Sequence, residues 1–488
     1  MRRVLVPALL AGAFLVARPA RATPTRALGL GDMGRYVEDD TNVFTYPGLI
    51  AIGRSSMFKA YTHLVYVDTG GAGGVSPTLP DVQSQGLNGG AFLRLGDNID
   101  LGLITSDYVA TDEKAFIDQV AATADPGNQA TFAALSPASA LRRYDLMVGY
   151  ALSDSFGAGL RLSYGSASQD YTPPSGAKLT TTDGKGQDWT ADDNTSQHQF
   201  GLTLGASGLL DAGSAWDAGL SYQNFGFSFL KNGTAAFTGG GANGIELAGR
   251  FRFVLSNYWD LIPQVDYKGV FFSQLVEDST VPAFGAAGTS ATEFLPNNAK
   301  ILHDRQSNSV DVGIAAALRA SKFARFWVAT GVQYTGIHEG ADVQKDAGVD
   351  QDMTIDASLY SLPYLKFAFE ATPLDWLILR AAVEKYTWSG SVTTYLDNRT
   401  ANTTATTVLS GACGADGSAA CGLGAVGADG KPAAAAPADF DAYVGASVLF
   451  HGFFVDLLID NAFFTRGPYF LSGANGNLAA RASIGAKF

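Results

Sequence analysis

The five histidines, His63, His198, His303, His338 and His451, are the side chains best suited to ligate a metal or relay a proton in this 488-residue chain. They are scattered, and no two stand at the spacing of paired metal ligands. No G-x-S-x-G elbow and no phosphate-binding loop occurs. With no local motif for a nucleophile, base or metal, the sequence points away from enzymatic chemistry and from a cofactor. Cys413 and Cys421, spaced C-x7-C in a Gly/Ala-rich stretch, could close a small disulfide loop in an oxidising compartment. That spacing is not a metal signature.

The remaining chemistry lies in charge placed along alternating stretches. In 244–256, Ile245, Leu247, Phe251, Phe253 and Leu255 fall on one face of an extended chain, and Glu246, Arg250 and Arg252 on the other. In 258–269, Trp259, Leu261, Val265 and Tyr267 oppose Asp260, Gln264, Asp266 and Lys268. The candidate pore-lining residues are Arg250, Arg252, Asp266, Lys268, Arg380 and Glu384. Two readings compete. They could filter solutes by charge and size, or pair with one another and hold a wall in shape; for most of them the second is favoured. Arg250 and Arg252 are successive positions on one face and could make a local anion-attracting patch.

A third kind of surface is apolar. In 110–142, Thr111-Asp112-Glu113 reads as a helix start, because acidic residues suit the positive end of the helix dipole. Phe116, Ile117 and Val120 follow, then Phe132 and Leu135. These five are the candidate ligand-groove residues for a hydrophobic small molecule, and the alternative is that the helices only cover a channel mouth. The stretch 389–439 is rich in Gly, Ala, Thr and Ser and is expected to be mobile apart from a Cys413–Cys421 clip.

The elements that must position these residues are strands. Sixteen period-2 segments lie near 55–67, 87–95, 99–109, 143–153, 155–166, 196–206, 214–227, 244–256, 258–272, 309–319, 325–337, 361–371, 375–388, 440–450, 452–462 and 477–488. Short connections, such as Gly96-Asp97-Asn98, Asp154, Asn257, Thr372-Pro373-Leu374 and His451, alternate with long ones. That is the layout of an outer-membrane barrel, with short turns and both termini in the periplasm. Glycines such as Gly157, Gly159, Gly201 and Gly313 on the inner face help such a sheet bend. Tyr66, Tyr164, Tyr222, Trp259, Trp327, Trp376 and Trp388 are candidates for the interfacial aromatic girdles.

Composition agrees. There are 57 glycines, aromatics reach 11% and charged residues only 16%, against a usual share of about 25% charged. The net charge of −13 lacks the basic footprint of a nucleic-acid binder. Arg2-Arg3, an apolar run over 4–17 and Ala20-Arg21-Ala22 read as a secretory signal ending at 22. The expected organisation is a signal peptide over 1–22, an N-terminal segment over 23–54 and a closed antiparallel transmembrane β-barrel over 55–488, all-β with sixteen strands, fourteen being the alternative. The last segment is amphipathic and ends on Phe488, which resembles the signal that the outer-membrane assembly machinery reads. Membrane lipid and lipopolysaccharide are the other expected partners.

Residues 26–50 carry Arg26-Ala27-Leu28-Gly29-Leu30-Gly31, the acidic pair Asp39-Asp40 and Tyr46-Pro47-Gly48-Leu49. This resembles the opening of the FadL/PorV-like outer-membrane barrels, with an R-A-x-G-x-G stretch, a D-D pair and an N-P-A-G-L-type turn. Here Tyr46 replaces the Asn and the Ala is missing. The resemblance covers about 25 residues of the 488. It implies an N-terminal plug, a fourteen-strand barrel, and either passage of hydrophobic solutes by passive diffusion or a role in protein export. A general diffusion porin is the third expectation.

Overall fold

The computed structural model describes Leu30, Met33, 35–37, 40–53, 57–66, 85–106, 142–171, 178–179, 187–188, 193–210, 213–231, 234–239, 242–278, 300–344, 351–398, 401–410, 439–450, 453–459 and 478–487. The signal segment, the groove candidates Phe116, Ile117, Val120, Phe132 and Leu135, both cysteines and Phe488 lie outside these residues.

The strands are β1 (Met57–Tyr66), β2 (Gln85–Leu95), β3 (Ile99–Ser106), β4 (Arg142–Ser153), β5 (Phe156–Tyr171), β6 (Lys178–Leu179), β7 (Gln187–Asp188), β8 (Asp193–Leu209), β9 (Ala215–Lys231), β10 (Thr234–Gly239) and β11 (Ala242–Val254). Then come β12 (Trp259–Asp278), β13 (Lys300–Ser321), β14 (Ala324–Gln344), β15 (Gln351–Leu374), β16 (Leu377–Tyr386), β17 (Trp388–Asn398), β18 (Ala401–Ser410), β19 (Asp439–Phe450), β20 (Phe453–Ile459) and β21 (Leu478–Lys487). Nineteen of them form one sheet, and β6 and β7 pair separately. Every pairing among them is antiparallel. Neighbours in sequence are mostly neighbours in the sheet. β10 fills in above β11, between β9 and β12. β15 pairs first with β16 and then with β17; β16 goes on to β19, while β17 turns back through β18. β1 is hydrogen-bonded to β2 on one side and to β21 on the other.

Alternation sorts the two faces as the sequence requires. Leu103, Leu146, Leu204, Leu247, Val265, Val312, Phe367 and Leu457 point out from one face and are 46–60% exposed, so that face is an apolar belt. Monomers in water rarely expose a contiguous apolar surface of such extent. Aromatics border it. Tyr258, Trp259, Phe323, Trp376 and Phe450 are exposed near the short turns. At the other border Tyr144 is opposite Tyr164, Tyr164 opposite Phe200, and Tyr334 opposite Tyr360. From Phe326 to Tyr334 is eight residues, about 26 Å along a strand. Trp327 is a correction: it is 5% exposed and turned to the opposite face, because its neighbours Phe326 and Val328 take the outward positions.

The strands on the long-connection side run further than the alternating segments predict. β12, β13, β14 and β15 have 20, 22, 21 and 24 residues, where a membrane crossing needs about 9–11. Their outer parts, such as Ser307-Asn308-Ser309 and His338-Glu339, are polar on both faces, so period 2 fades there although the ladder continues. The stretch 389–439 is likewise corrected in its first part. Val392-Thr393-Thr394-Tyr395 and Thr406-Thr407-Val408 are strand formers, and they pair as the β17–β18 hairpin. The connection after β15 is Asp375-Trp376; Thr372, Pro373 and Leu374 remain in the strand. Gly96 and Gly213 have φ of +71° and +82°, which only glycine adopts without strain, and they serve the tight turns after β2 and before β9.

Against the other face lies the N-terminal segment, with a 3-10 turn (Asp40–Phe44) and a short helix α1 (Gly48–Gly53). Leu30, Met33, Tyr36 and Val37 pack with Ile262, Ala315, Ala317, Trp327, Ala329, Ala368 and Ala382, from β12 to β16. Val43 and Ile50 pack with Ile104 and Met147 on β3 and β4. One short segment reaches from β3 to β16 because the sheet curves around it. Each buried large apolar side chain in it contributes about 1.5–3 kcal/mol.

Candidate functional site

The contact between the N-terminal segment and the sheet is the most heavily built feature of the described residues, and it lies at the short-turn end of the strands. One part is a steric seat. A Cβ on Gly159 would collide with the Pro47 carbonyl, and one on Gly219 with the Thr45 carbonyl. A Cβ on Gly157 would come within 2.9 Å of the Gly48 oxygen, and one on Gly149 within 2.9 Å of the Ala51 nitrogen. These glycines let the backbone of 45–51 lie directly on β4, β5 and β9. Gly157 and Gly159 thus make room for a neighbour, a role beyond bending. Gly201 faces Ser163, and Gly313 faces the hydroxyls of Tyr36 and Tyr364.

Arginines on the sheet hold carbonyls of the segment. Arg161 donates from Nε to Asp145 at 2.8 Å and from Nη1 to the Phe44 oxygen at 3.1 Å. Its guanidinium and that of Arg143 lie over the Phe44 ring, 5.1 and 5.8 Å from the centroid. Arg143 also donates to Asp145, at 3.0 Å. Arg250 donates from Nε to Asp217 at 2.7 Å, and from Nη1 to the oxygens of Arg35 at 3.0 Å and Val37 at 3.2 Å. It also covers the Tyr46 ring at 5.1 Å. Hydrogen bonds of this charge-assisted kind contribute about 1.5–3 kcal/mol each.

The segment's own polar side chains answer on the other side. Gln264 donates to the Tyr36 hydroxyl at 3.3 Å and to Asp311 at 2.9 Å. Tyr364 donates to Asp311 at 2.9 Å, so in the 2.6 Å contact between the two tyrosines Tyr36 is the donor. Arg35 pairs with Asp266 and stands 3.7 Å from Glu246. Burial opposes the Arg35 charge, but Asp266 and Glu246, with smaller contributions from Tyr46 and Asp311, outweigh it and raise the pKa. Burial raises the Tyr36 hydroxyl. It also pushes Tyr46 up to about 12, against the opposing pull of Arg250 and Arg35. The buried Tyr46 hydroxyl meets no hydrogen-bond partner among the described residues.

The six pore-lining candidates all have side chains on the segment-facing side, but they do not form one cluster. Arg250 is engaged with Asp217 and the segment. Arg252, the next position on that face, donates to the Gly213 carbonyl at 2.8 Å. Asp266 holds Arg35. Lys268 is opposite Glu246 across β11 and β12. Arg380 bridges Glu370 at 2.8 Å and Asp456 at 3.3 Å. Glu384 pairs with Lys366 at 3.1 Å and accepts from Tyr443 at 2.9 Å. Sequence reasoning put Gln264 on the polar face without a role, and it missed Arg35, Tyr36 and Tyr364. The resemblance in 26–50 implied a plug, and the inner-face glycines, read there only as an aid to bending, are the signal that could have located its seat. Among the described residues no three His, Cys, Asp or Glu side chains come together as a metal site.

No family model matches the chain, and no curated protein matches it. Solved structures similar to it include the ferric-catecholate import receptor Fiu of E. coli K12, at 11% identity and a TM-score of 0.33, over 89% of this chain and 82% of that one. The alcaligin outer-membrane receptor FauA of Bordetella pertussis follows at 7% and 0.35, over 89% and 76%. The FrpB iron transporter of Neisseria meningitidis (F3-3 variant) stands at 9% and 0.29, over 91% and 83%. At these TM-scores the likenesses carry no argument about fold or cargo.

Proposed function

We propose that this chain is an outer-membrane channel of the FadL-like type, a closed β-barrel whose N-terminal segment plugs the periplasmic end and through which small solutes pass by passive diffusion. The observation that carries the reading is the pairing of opposite faces: an aromatic-bordered apolar belt on one side, and on the other a polar, charge-paired face with 30–53 packed against it. In hydrocarbon every backbone N–H and C=O needs a partner, which favours closure. The β1–β21 ladder supports that closure. Taking β16 with β17 as one strand, and setting aside β6, β7, β10 and β18, sixteen strands would complete the ring. The cargo favoured by the sequence is a small apolar solute, from the composition around Phe116 and Phe132.

The test is fractionation followed by planar-bilayer recording of the full chain and of a deletion of 30–53. The expected result is recovery from the outer-membrane fraction, low conductance for the full chain and sustained conductance for the deletion. Recovery in soluble form would overturn the membrane reading. Free ion conduction by the full chain would overturn the plug and favour a diffusion porin.

A further inference from the structure

Asp266 on β12 and Asp311 on β13 are directly opposite each other across the ladder. Like charges in that position repel. Glu246, one strand further along, adds a third carboxylate and has Lys268 opposite it. The N-terminal segment brings the Arg35 guanidinium to this group, with Nη1 on Asp266 and Nη2 toward Glu246. The Asp266 side chain is 7% exposed and that of Arg35 is 38% exposed, so the guanidinium covers the carboxylate while staying partly exposed itself. Gln264, 4% exposed, stands two residues from Asp266 with its amide nitrogen on Asp311, and its Oε1 accepts no hydrogen bond among the described residues. The site therefore holds carboxylates on three adjacent strands, a buried acceptor with no partner among the described residues, and one planar cation carried on the N-terminal segment.

We propose that Glu246, Asp266, Asp311 and Gln264 form a binding site for a small guanidinium-bearing solute, and that Arg35 occupies it as a tethered surrogate which such a solute displaces. A guanidinium suits the site because its five donors form a rigid fork that spans separate carboxylates, which a point charge does not. The same acids do not converge as metal ligands do. Displacement of Arg35 leaves the Tyr36–Tyr364 and Arg250 contacts to hold the segment, so solute binding loosens the plug and does not eject it. The guanidinium-bearing solute acts on the plug and is distinct from the apolar cargo, and the inference rests on the plugged-channel reading, since the competition matters only if 30–53 occludes the path.

The test uses the full chain in detergent, with methylguanidinium as probe and sodium at equal ionic strength as reference. Arg35→Ala vacates the site. Methylguanidinium is expected to bind that variant about tenfold or more tighter than the wild type, seen by calorimetry and as a raised Tm. Adding Asp266→Asn and Asp311→Asn is expected to abolish the gain. Equal binding by wild type, R35A and the triple variant overturns the proposal, as does a Tm raised by calcium and not by methylguanidinium. Should R35A not fold, limited proteolysis of the wild type decides: methylguanidinium must speed cleavage within 30–53 over the sodium reference, and no change overturns the proposal. Calorimetry and proteolysis need no channel, so failure here is distinct from failure of the conductance test.

Discussion

The two sides of the N-terminal segment are held by different physics. Along β4, β5 and β9 the sheet presents glycines, and the segment lies on them backbone against backbone. Along β11 to β15 it presents Arg250, Gln264, Asp266, Asp311 and Tyr364, and hydrogen bonds and ion pairs add to the apolar packing of Leu30, Met33 and Val37. A glycine seat is insensitive to pH and salt and fails only when volume is added. A polar latch fails when one partner is removed or replaced. Arg161 is the overlap, since it grips the Phe44 carbonyl from the glycine side. The difference implies that the latch side can be released while the seat keeps the segment in register.

The largest effect that would break this contrast is expected on the latch. Arg250→Ala leaves Asp217 buried without its ion pair and removes a donor from two carbonyls of the segment, of which Val37 keeps only the Asn42 amide at 2.8 Å. Breaking a buried pair from one side costs about 3–5 kcal/mol. The expected outcome is a lower denaturation midpoint and faster proteolysis within 30–53. Arg250→Met with Asp217→Asn should recover most of the stability, because no uncompensated charge remains, without restoring the grip on Val37. If the single and double variants lose equally, the charge pair is not what the site depends on.

Next is the seat. Gly159→Val forces a side chain into the Pro47 carbonyl, and overpacking of this kind costs about 1–3 kcal/mol. On the proposed channel reading, conductance should rise because the segment is displaced, while the sheet itself stays folded. Gly249→Ala is the matched control, since a Cβ there meets nothing closer than 3.8 Å. Equal behaviour of the two variants would remove the seat.

Much of the sheet was legible in the sequence because alternation is strict where an apolar outer face opposes a polar inner one. Leu247 and Phe251 against Arg250 and Arg252 could be sorted without coordinates. The limits appear where that contrast stops. Beyond the belt, Ser307 to Ser309 are polar at every position, so no period marks the strand. The β17–β18 hairpin hid in a Thr-rich stretch whose composition reads equally as loop. Trp327 was misplaced because an aromatic near a strand end resembles a girdle residue, and only its parity within 325–337 separates the two roles. The site was the least legible part. Arg35 and Tyr36 look like any polar residues in a Gly-punctuated lead-in, and their partners lie more than 200 positions away on β12 and β15. No local pattern encodes a contact at that distance.

The smallest expected effect sharpens the contrast by titration, because a tyrosine buried between seat and latch responds to pH while the glycines do not. The Tyr46 pKa is raised from its ordinary 10.0 to about 12 by burial. Above the ordinary value the unfolded chain loses this proton while the docked segment keeps it. The slope of stability with pH is set by the protons held unfolded minus those held folded, so it is negative there. The stabilisation is full below about pH 10 and is lost as pH rises through about 12. Tyr46→Phe removes the term. It also removes a buried hydroxyl that has no partner among the described residues, and keeps the ring under Arg250. The variant should therefore match the wild type at neutral pH, or exceed it by up to about 1 kcal/mol, and its alkaline decline should be shallower. Protease cleavage within 30–53, measured from neutral pH to pH 11 and above with a protease active throughout, reads both. A wild-type decline that Tyr46→Phe leaves unchanged would assign the alkaline sensitivity to other groups and leave Tyr46 a purely steric part of the seat.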